Sequence, residues 1–298
     1  MAIIFLVTFI GLMGFGFILP LFPFYAERMG ASPEIITLTM AAFSLGQFVA
    51  APYWGRLSDS IGRKPVLILT LLGSSLSYVM LAYAPNLTVV ILSRIFTGLM
   101  AGNVSIAFAY VADITDDSNR SAGLGKVSAA LGLGFMTGPA IGGLLAGNNV
   151  ENANYLLTAL AAAGINFLAM LAAIVFLQES LDVKKRKPFE GFSKIITLAT
   201  FSPEKSILPL VSCGLIFYAA MSMMESIFPL WANKIFSYGP SNIGGVFFML
   251  GSLGVIIQGG LIGRLTKLLG EKKLVQLAAL SAMTGLILIG SATFEFSL

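Results

Sequence analysis

The sequence predicts an all-α integral membrane protein, and three observations predict it. Of 298 residues, 57% are hydrophobic and only 11% charged, with a mean hydropathy of +0.89. A soluble domain is about 25% charged and could not clothe its surface with so few charges. The apolar residues fall into nine runs, at about 2–25, 34–55, 66–84, 87–112, 122–146, 153–177, 206–232, 240–262 and 274–293. Each is close to the roughly 20 residues that cross a hydrocarbon core. They are apolar on all sides, without the alternation of β-barrel strands. The basic residues then separate by side. With the N-terminus in the cytoplasm, all of the 18 Lys and Arg lie at the inner face except Arg28 and Lys234 in outer loops and Arg94 within a span. That is the positive-inside pattern of a multi-pass protein of the plasma (inner) membrane.

The first run begins without a basic leader and stays apolar through Leu19, so it reads as a span rather than a cleaved signal. The single cysteine, Cys213, excludes a disulfide framework. The absence of His excludes His-ligated metal sites and His relays. Neither His-Glu-x-x-His nor Gly-x-Ser-x-Gly occurs, so no catalytic residues, metal, cofactor or nucleic-acid partner are expected, and an enzyme is not.

The longest inner loop, 179–203, contains Lys184-Lys185-Arg186-Lys187, read as a topological anchor. It divides the chain into a six-span unit (1–178) and a three-span unit (204–298). The second unit begins as a copy of the first. Ile18-Leu19-Pro20-Leu21-Phe22 is matched by Ile227-Phe228-Pro229-Leu230-Trp231, and Gly55-Arg56-Leu57-Ser58 by Gly263-Arg264-Leu265-Thr266. Both copies start on the same side, which makes them parallel repeats. The copy inverts the charges: Lys267 stands where Asp59 would, and Glu271 where Arg63 would.

The loop after span 2 reads Gly55-Arg56-Leu57-Ser58-Asp59-Ser60-Ile61-Gly62-Arg63-Lys64-Pro65. Its residues suggest a tight turn between antiparallel helices. Gly55 and Gly62 permit close packing and positive φ, Asp59 is ionised among Arg56, Arg63 and Lys64, and Pro65 begins span 3. The stretch resembles the loop 2–3 signature of the major facilitator superfamily, with every fixed position filled. The resemblance implies a major facilitator fold, with a six-helix N-terminal bundle and the first three helices of a second bundle. It also implies a conformational lock at Gly55, Asp59, Gly62, Arg63 and Lys64, completed by Asp113 at the end of span 4, that breaks and remakes as the bundles rock.

Span 5 carries Gly134, Gly138 and Gly142 at a spacing of four, with Pro139 and Gly143 beside them. Small residues at that spacing make a smooth packing face, and Pro139 removes a helix hydrogen bond. The pattern resembles the span 5 motif of drug:proton antiporters, which implies export rather than uptake. In span 4, Arg94 precedes Thr97, Gly98 and Gly102. A buried Arg in lipid costs at least ~2.5–3.5 kcal/mol unless it faces protein or water. It is either an anchor for helix carbonyls or, as the resemblance implies, part of proton transfer. Ala109–Asp116, Asn166-Phe167-Leu168 and Gln178-Glu179-Ser180 are similar to the tetracycline-exporter branch, but that branch carries an acid where this chain has Gly11.

With no His, a carboxylate must serve any coupled proton. Glu225, four residues before Pro229, is the one clear candidate within a span. Gln47, Asn103, Phe217, Tyr218, Met221 and Gln258 are expected to line the substrate cavity; aromatic and Met side chains suit bulky hydrophobic solutes. The resulting expectation is a proton-coupled exporter of small hydrophobic compounds working by alternating access, a monomer when full length. Its partners are a small-molecule substrate, protons and the lipid bilayer. The alternatives are uptake of a sugar or metabolite by the same fold, and a non-transporting membrane scaffold. The superfamily has twelve spans, so the nine here lead to the expectation of a truncated sequence whose last three spans bury their faces incompletely.

Overall fold

The computed structural model describes residues 1–186, 188, 208–257 and 261–295. Every regular element among them is helical. Eight stretches are long and apolar enough to cross a membrane. Span 1 is Ala2–Ile18 continued by Phe22–Arg28, span 2 Pro33–Ile61, span 3 Arg63–Ala82, span 4 Leu87–Met100 continued by Asn103–Ile114, span 5 Asp117–Ala146 and span 6 Tyr155–Phe176. Span 7 is Leu208–Phe236 and span 9 Glu271–Glu295. Span 8 is a shorter helix of 17 residues, Pro240–Ile256, followed by the helix Ile262–Leu269. Most of the 179–203 linker and residue Gln258 lie outside the described residues.

The loop 2–3 turn is tighter than its sequence suggests. Residues 55–61 continue the helix of span 2, and the chain reverses at Gly62 alone, with φ of 113°. Gly55 is an ordinary helical residue with open space where a Cβ would stand. A helix satisfies its own backbone in water as in lipid, so span 2 runs on past its apolar stretch until a residue free to adopt positive φ ends it.

Two spans are broken. Span 1 turns at Leu19–Leu21, where Pro20 has no N–H to continue the ladder. Span 4 breaks at Ala101–Gly102, and the Trp54 indole N–H donates to the carbonyl of Leu99 at 2.6 Å, taking up an acceptor left at the break. A Cβ on Gly102 would lie 2.5 Å from the Trp54 ring, so Gly is what allows that approach.

Span 1 packs against spans 5 and 6, span 3 against spans 4 and 6, and span 2 against span 4. One core cluster, including Ile4, Leu67, Leu71, Ile106 and Val127, lies toward the Gly62 end. Another joins Leu21, Phe24 and Ala146 to Ala232, Ile243 and Phe247 of spans 7 and 8. Contact between the early and late spans is therefore concentrated at the Gly147 end. Span 9 is exposed along its length, with Leu280 53% and Leu288 68% accessible.

Candidate functional site: an inner charge cluster, a glycine seam and two cavities

At the Gly62 end, three spans converge on Arg63. Its Nη1 lies 2.6 Å from Asp59 Oδ1, its Nε donates to Asp113 Oδ2 at 2.9 Å, and Nη1 also donates to Ser58 Oγ at 2.7 Å. The planar guanidinium suits this work, since it offers several donors in fixed directions. Lys64 does not join the cluster through its ammonium, which donates instead to the Ile174 carbonyl at 2.8 Å. Gly55 enters through its backbone alone, its carbonyl accepting from the Ser58 hydroxyl at 2.7 Å.

A further residue belongs here, one the sequence marks only as part of the Gln178-Glu179-Ser180 resemblance and not as a member of the lock. Glu179, just past span 6, accepts from the backbone N–H groups of Arg63 (2.8 Å), Lys64 (3.2 Å) and Leu181 (3.0 Å). The first two are orphan donors of the first turn of span 3, and a carboxylate there also complements the helix dipole. Beside it, Ser180 Oγ donates to Asp113 Oδ2 at 3.1 Å, and the Tyr110 hydroxyl donates to the Gln178 carbonyl at 2.9 Å. The start of the inter-unit linker is thus fastened to the charge cluster. Replacing Glu179 by Ala is expected to lower stability by about 1–2 kcal/mol, the usual cost of a lost N-terminal cap. A melting temperature unchanged in detergent would contradict this.

The span 5 glycines form two seams. A Cβ on Gly134 would stand 2.8 Å from the Phe9 carbonyl oxygen, and one on Gly138 2.7 Å from that of Met13 and 2.8 Å from Gly16 Cα. Gly142 meets Phe17 in the same way. Span 5 therefore lies backbone to backbone on span 1. Gly143 turns the other way, toward the Pro240 carbonyl of span 8, where a Cβ would stand 2.5 Å off. Span 8 answers with Gly244 against the Pro139 carbonyl and Gly251 against Met136. The Ser241 N–H donates to the Gly147 carbonyl at 3.2 Å, closing the seam at its far end. Gly244 and Gly251 stand seven apart on one helix face, the sequence signal that could have revealed this partner face.

Arg94 is 4% exposed, and its Nε and Nη2 have no hydrogen-bond partner among the described residues. Among the described residues it anchors no carbonyl. Its guanidinium carbon lies 5.4 Å from the Phe22 ring centre and 5.6 Å from that of Tyr78, within cation–π range. Thr97 next to it is held by the Ser93 carbonyl and by Ser77 Oγ.

Two cavities open near spans 2 and 4. The larger, about 820 Å³, has a mostly apolar wall that includes Phe48, Pro52, Val104 and Phe108, with Ser44, Gln47 and Ser105 as its polar groups. The smaller, about 190 Å³, is lined by Gly11, Phe15, Phe43, Gln47, Tyr78, Asn103 and Asn166, among others. Gln47 and Asn103 are thus brought together. Phe217, Met221 and Glu225 follow one another on span 7, outside the lining of these two cavities. Glu225 is partly buried and has no ion pair among the described residues. The Tyr218 side chain and Gln258 lie outside what is described.

Residues 4–297 match the profile of the Major Facilitator Superfamily. The chain belongs to that superfamily. It is 32% identical over 285 residues to Multidrug resistance protein 2 of Bacillus subtilis, covering 94% of this chain and 69% of that protein. It is 29% identical over 285 residues to the class C tetracycline resistance protein of Escherichia coli, covering 94% and 71%. Among solved structures, the human organic anion transporter MFSD10 aligns with a TM-score of 0.67 at 25% identity, covering 87% of this chain and 71% of that one. The protein is accordingly a multi-pass membrane transporter of the major facilitator superfamily, related to drug-efflux proteins, and not an enzyme.

Proposed function

We propose that this transporter exports small, fairly hydrophobic compounds in exchange for protons, as a monomer in the plasma membrane with its N-terminus in the cytoplasm. The observation that carries the reading is the glycine seam of span 5, seated on span 1 and through Gly143 on span 8. Such a seam closes the Gly147 end tightly yet holds few side chains that must be unthreaded for it to part. At the opposite end, the Asp59–Arg63–Asp113 cluster ties spans 2, 3 and 4 of the first unit together, a charge-held element of the sort that supports two discrete arrangements. The mostly apolar wall of the larger cavity supports a hydrophobic cargo; Ser44, Gln47 and Ser105 are few hydrogen-bonding groups for a sugar.

Glu225 is the group assigned to the proton. Within a membrane span an unpaired carboxylate is costly while charged, so it favours alternation between protonated and ionised forms. Glu225→Gln in proteoliposomes is expected to abolish flux of an uncharged lipophilic dye driven by a pH gradient, while dye exchange without a gradient persists. Gradient-driven flux at the wild-type rate would remove Glu225 from the mechanism. Absence of gradient-driven flux in the wild-type protein would remove proton coupling altogether.

A further inference from the structure

We propose that the smaller cavity is a binding site for the uncharged, hydrogen-bonding end of an aromatic compound, such as a carboxamide, and that it rejects cations. The proposal deepens the export reading and rests on it for the identity of the compound as cargo.

The cavity has room for about six waters at the ~30 Å³ each takes in liquid. Its polar groups are held in place yet uncommitted. Asn166 is 1% exposed; its Nδ2 donates to the Ala162 carbonyl at 2.9 Å, and Oδ1 has no partner among the described residues. Asn103 Oδ1 accepts from the Val104 N–H at 3.0 Å, which leaves Nδ2 free toward Gly11, where a Cβ would stand 2.7 Å away. The hydroxyls of Ser74 (7% exposed) and Tyr78 (2% exposed) bond to no described residue. These groups keep access to the cavity, and a ligand that hydrogen-bonds to them gains what an apolar one cannot. Phe15 and Phe43, stacked with ring centres 5.1 Å apart, form the aromatic side of the same cavity.

Charge decides the class. Among the described lining residues none is a carboxylate, so nothing there balances a cation. Against the Tyr78 ring lies the Arg94 guanidinium, 5.6 Å from the ring centre and without a carboxylate partner among the described residues. In a low-dielectric interior that charge acts at longer range than it would in water. It repels a positive group and favours the negative end of a carbonyl dipole. Gly11 contributes by being small, since any side chain there would displace Asn103.

The test compares tritiated benzanilide with its 4-trimethylammonio analogue by equilibrium dialysis on the wild-type protein in nanodiscs, with empty discs subtracted. Benzanilide is expected to bind, and the cation to bind at least about tenfold more weakly. Asn103→Leu and the milder Ser74→Ala, each checked for an unchanged melting temperature, are expected to weaken benzanilide binding by about fivefold or more. Equal binding of the two compounds, or wild-type benzanilide binding by both folded variants, would overturn the proposal. Dialysis requires no gradient, so selective binding together with an absence of dye flux would refute the export reading and leave the site standing.

Discussion

Arg63→Lys is expected to slow dye flux by about 5- to 30-fold, the factor that 1–2 kcal/mol represents, although it keeps the positive charge. Arg63 serves Asp113 through Nε and Asp59 and Ser58 through Nη1, at 2.6–2.9 Å. An ammonium is a point charge on a flexible stem and cannot reach both carboxylates in those directions at once. A hydrogen bond to a charged group contributes about 1.5–3 kcal/mol. Because the Asp59 and Asp113 side chains are 38% and 21% exposed, solvent screens part of that contribution. Arg63→Met goes further, leaving two carboxylates facing one another without a counter-charge. Initial flux rates in proteoliposomes measure both. A rate for Arg63→Lys within about twofold of wild type would show that charge alone holds the cluster.

The second large effect is on assembly. Gly138→Val is expected to cost about 1–3 kcal/mol or more, because overpacking here meets backbone on both sides. The Met13 carbonyl oxygen and Gly16 Cα would lie 2.7 and 2.8 Å from the new Cβ, and neither can rotate away. Spans 1 and 5 would have to part along their whole contact. Gly125→Ala, in the same helix with nothing within 4 Å of the added carbon, is the control. It should be neutral or raise stability by up to about 1 kcal/mol through helix propensity. Melting temperatures in detergent distinguish them, and equal shifts for the two variants would refute the seam.

Much of this architecture was legible in the chain because lipid imposes simple rules. Long apolar runs and the sidedness of Lys and Arg mark the spans, and the Gly134–Gly138–Gly142 spacing marks a close helix crossing whatever lies opposite. Asp59, Arg63 and Asp113 could be grouped through a resemblance of pattern, and the structure brings those three side chains together. What was not legible depends on residues far apart in sequence. Glu179 caps a helix that begins 116 residues earlier, and no local pattern marks a carboxylate for that task. The partner face on span 8, Gly244 and Gly251, is spaced at seven and is sparse beside the span 5 pattern. Polarity rises at Gly55, where the apolar run of span 2 ends, yet helices do not stop where lipid does; Gly62 stops this one. Asn166 and Ser74 are ordinary polar residues within apolar runs, and only the packing of spans 1, 3, 4 and 6 turns them toward one cavity.

The central claim is that the span 5–span 8 seam must open for each cycle of transport. It is tested by placing cysteines at Asn148 and Ser241, on either side of the Gly147–Ser241 hydrogen bond, in a chain with Cys213→Ser. The pair is then bridged with a short, reducible bifunctional thiol reagent, and dye flux is measured before bridging, after it, and after reduction. The account predicts that flux stops on bridging and returns on reduction, with each single-cysteine chain unaffected. Undiminished flux through the bridged protein would contradict it.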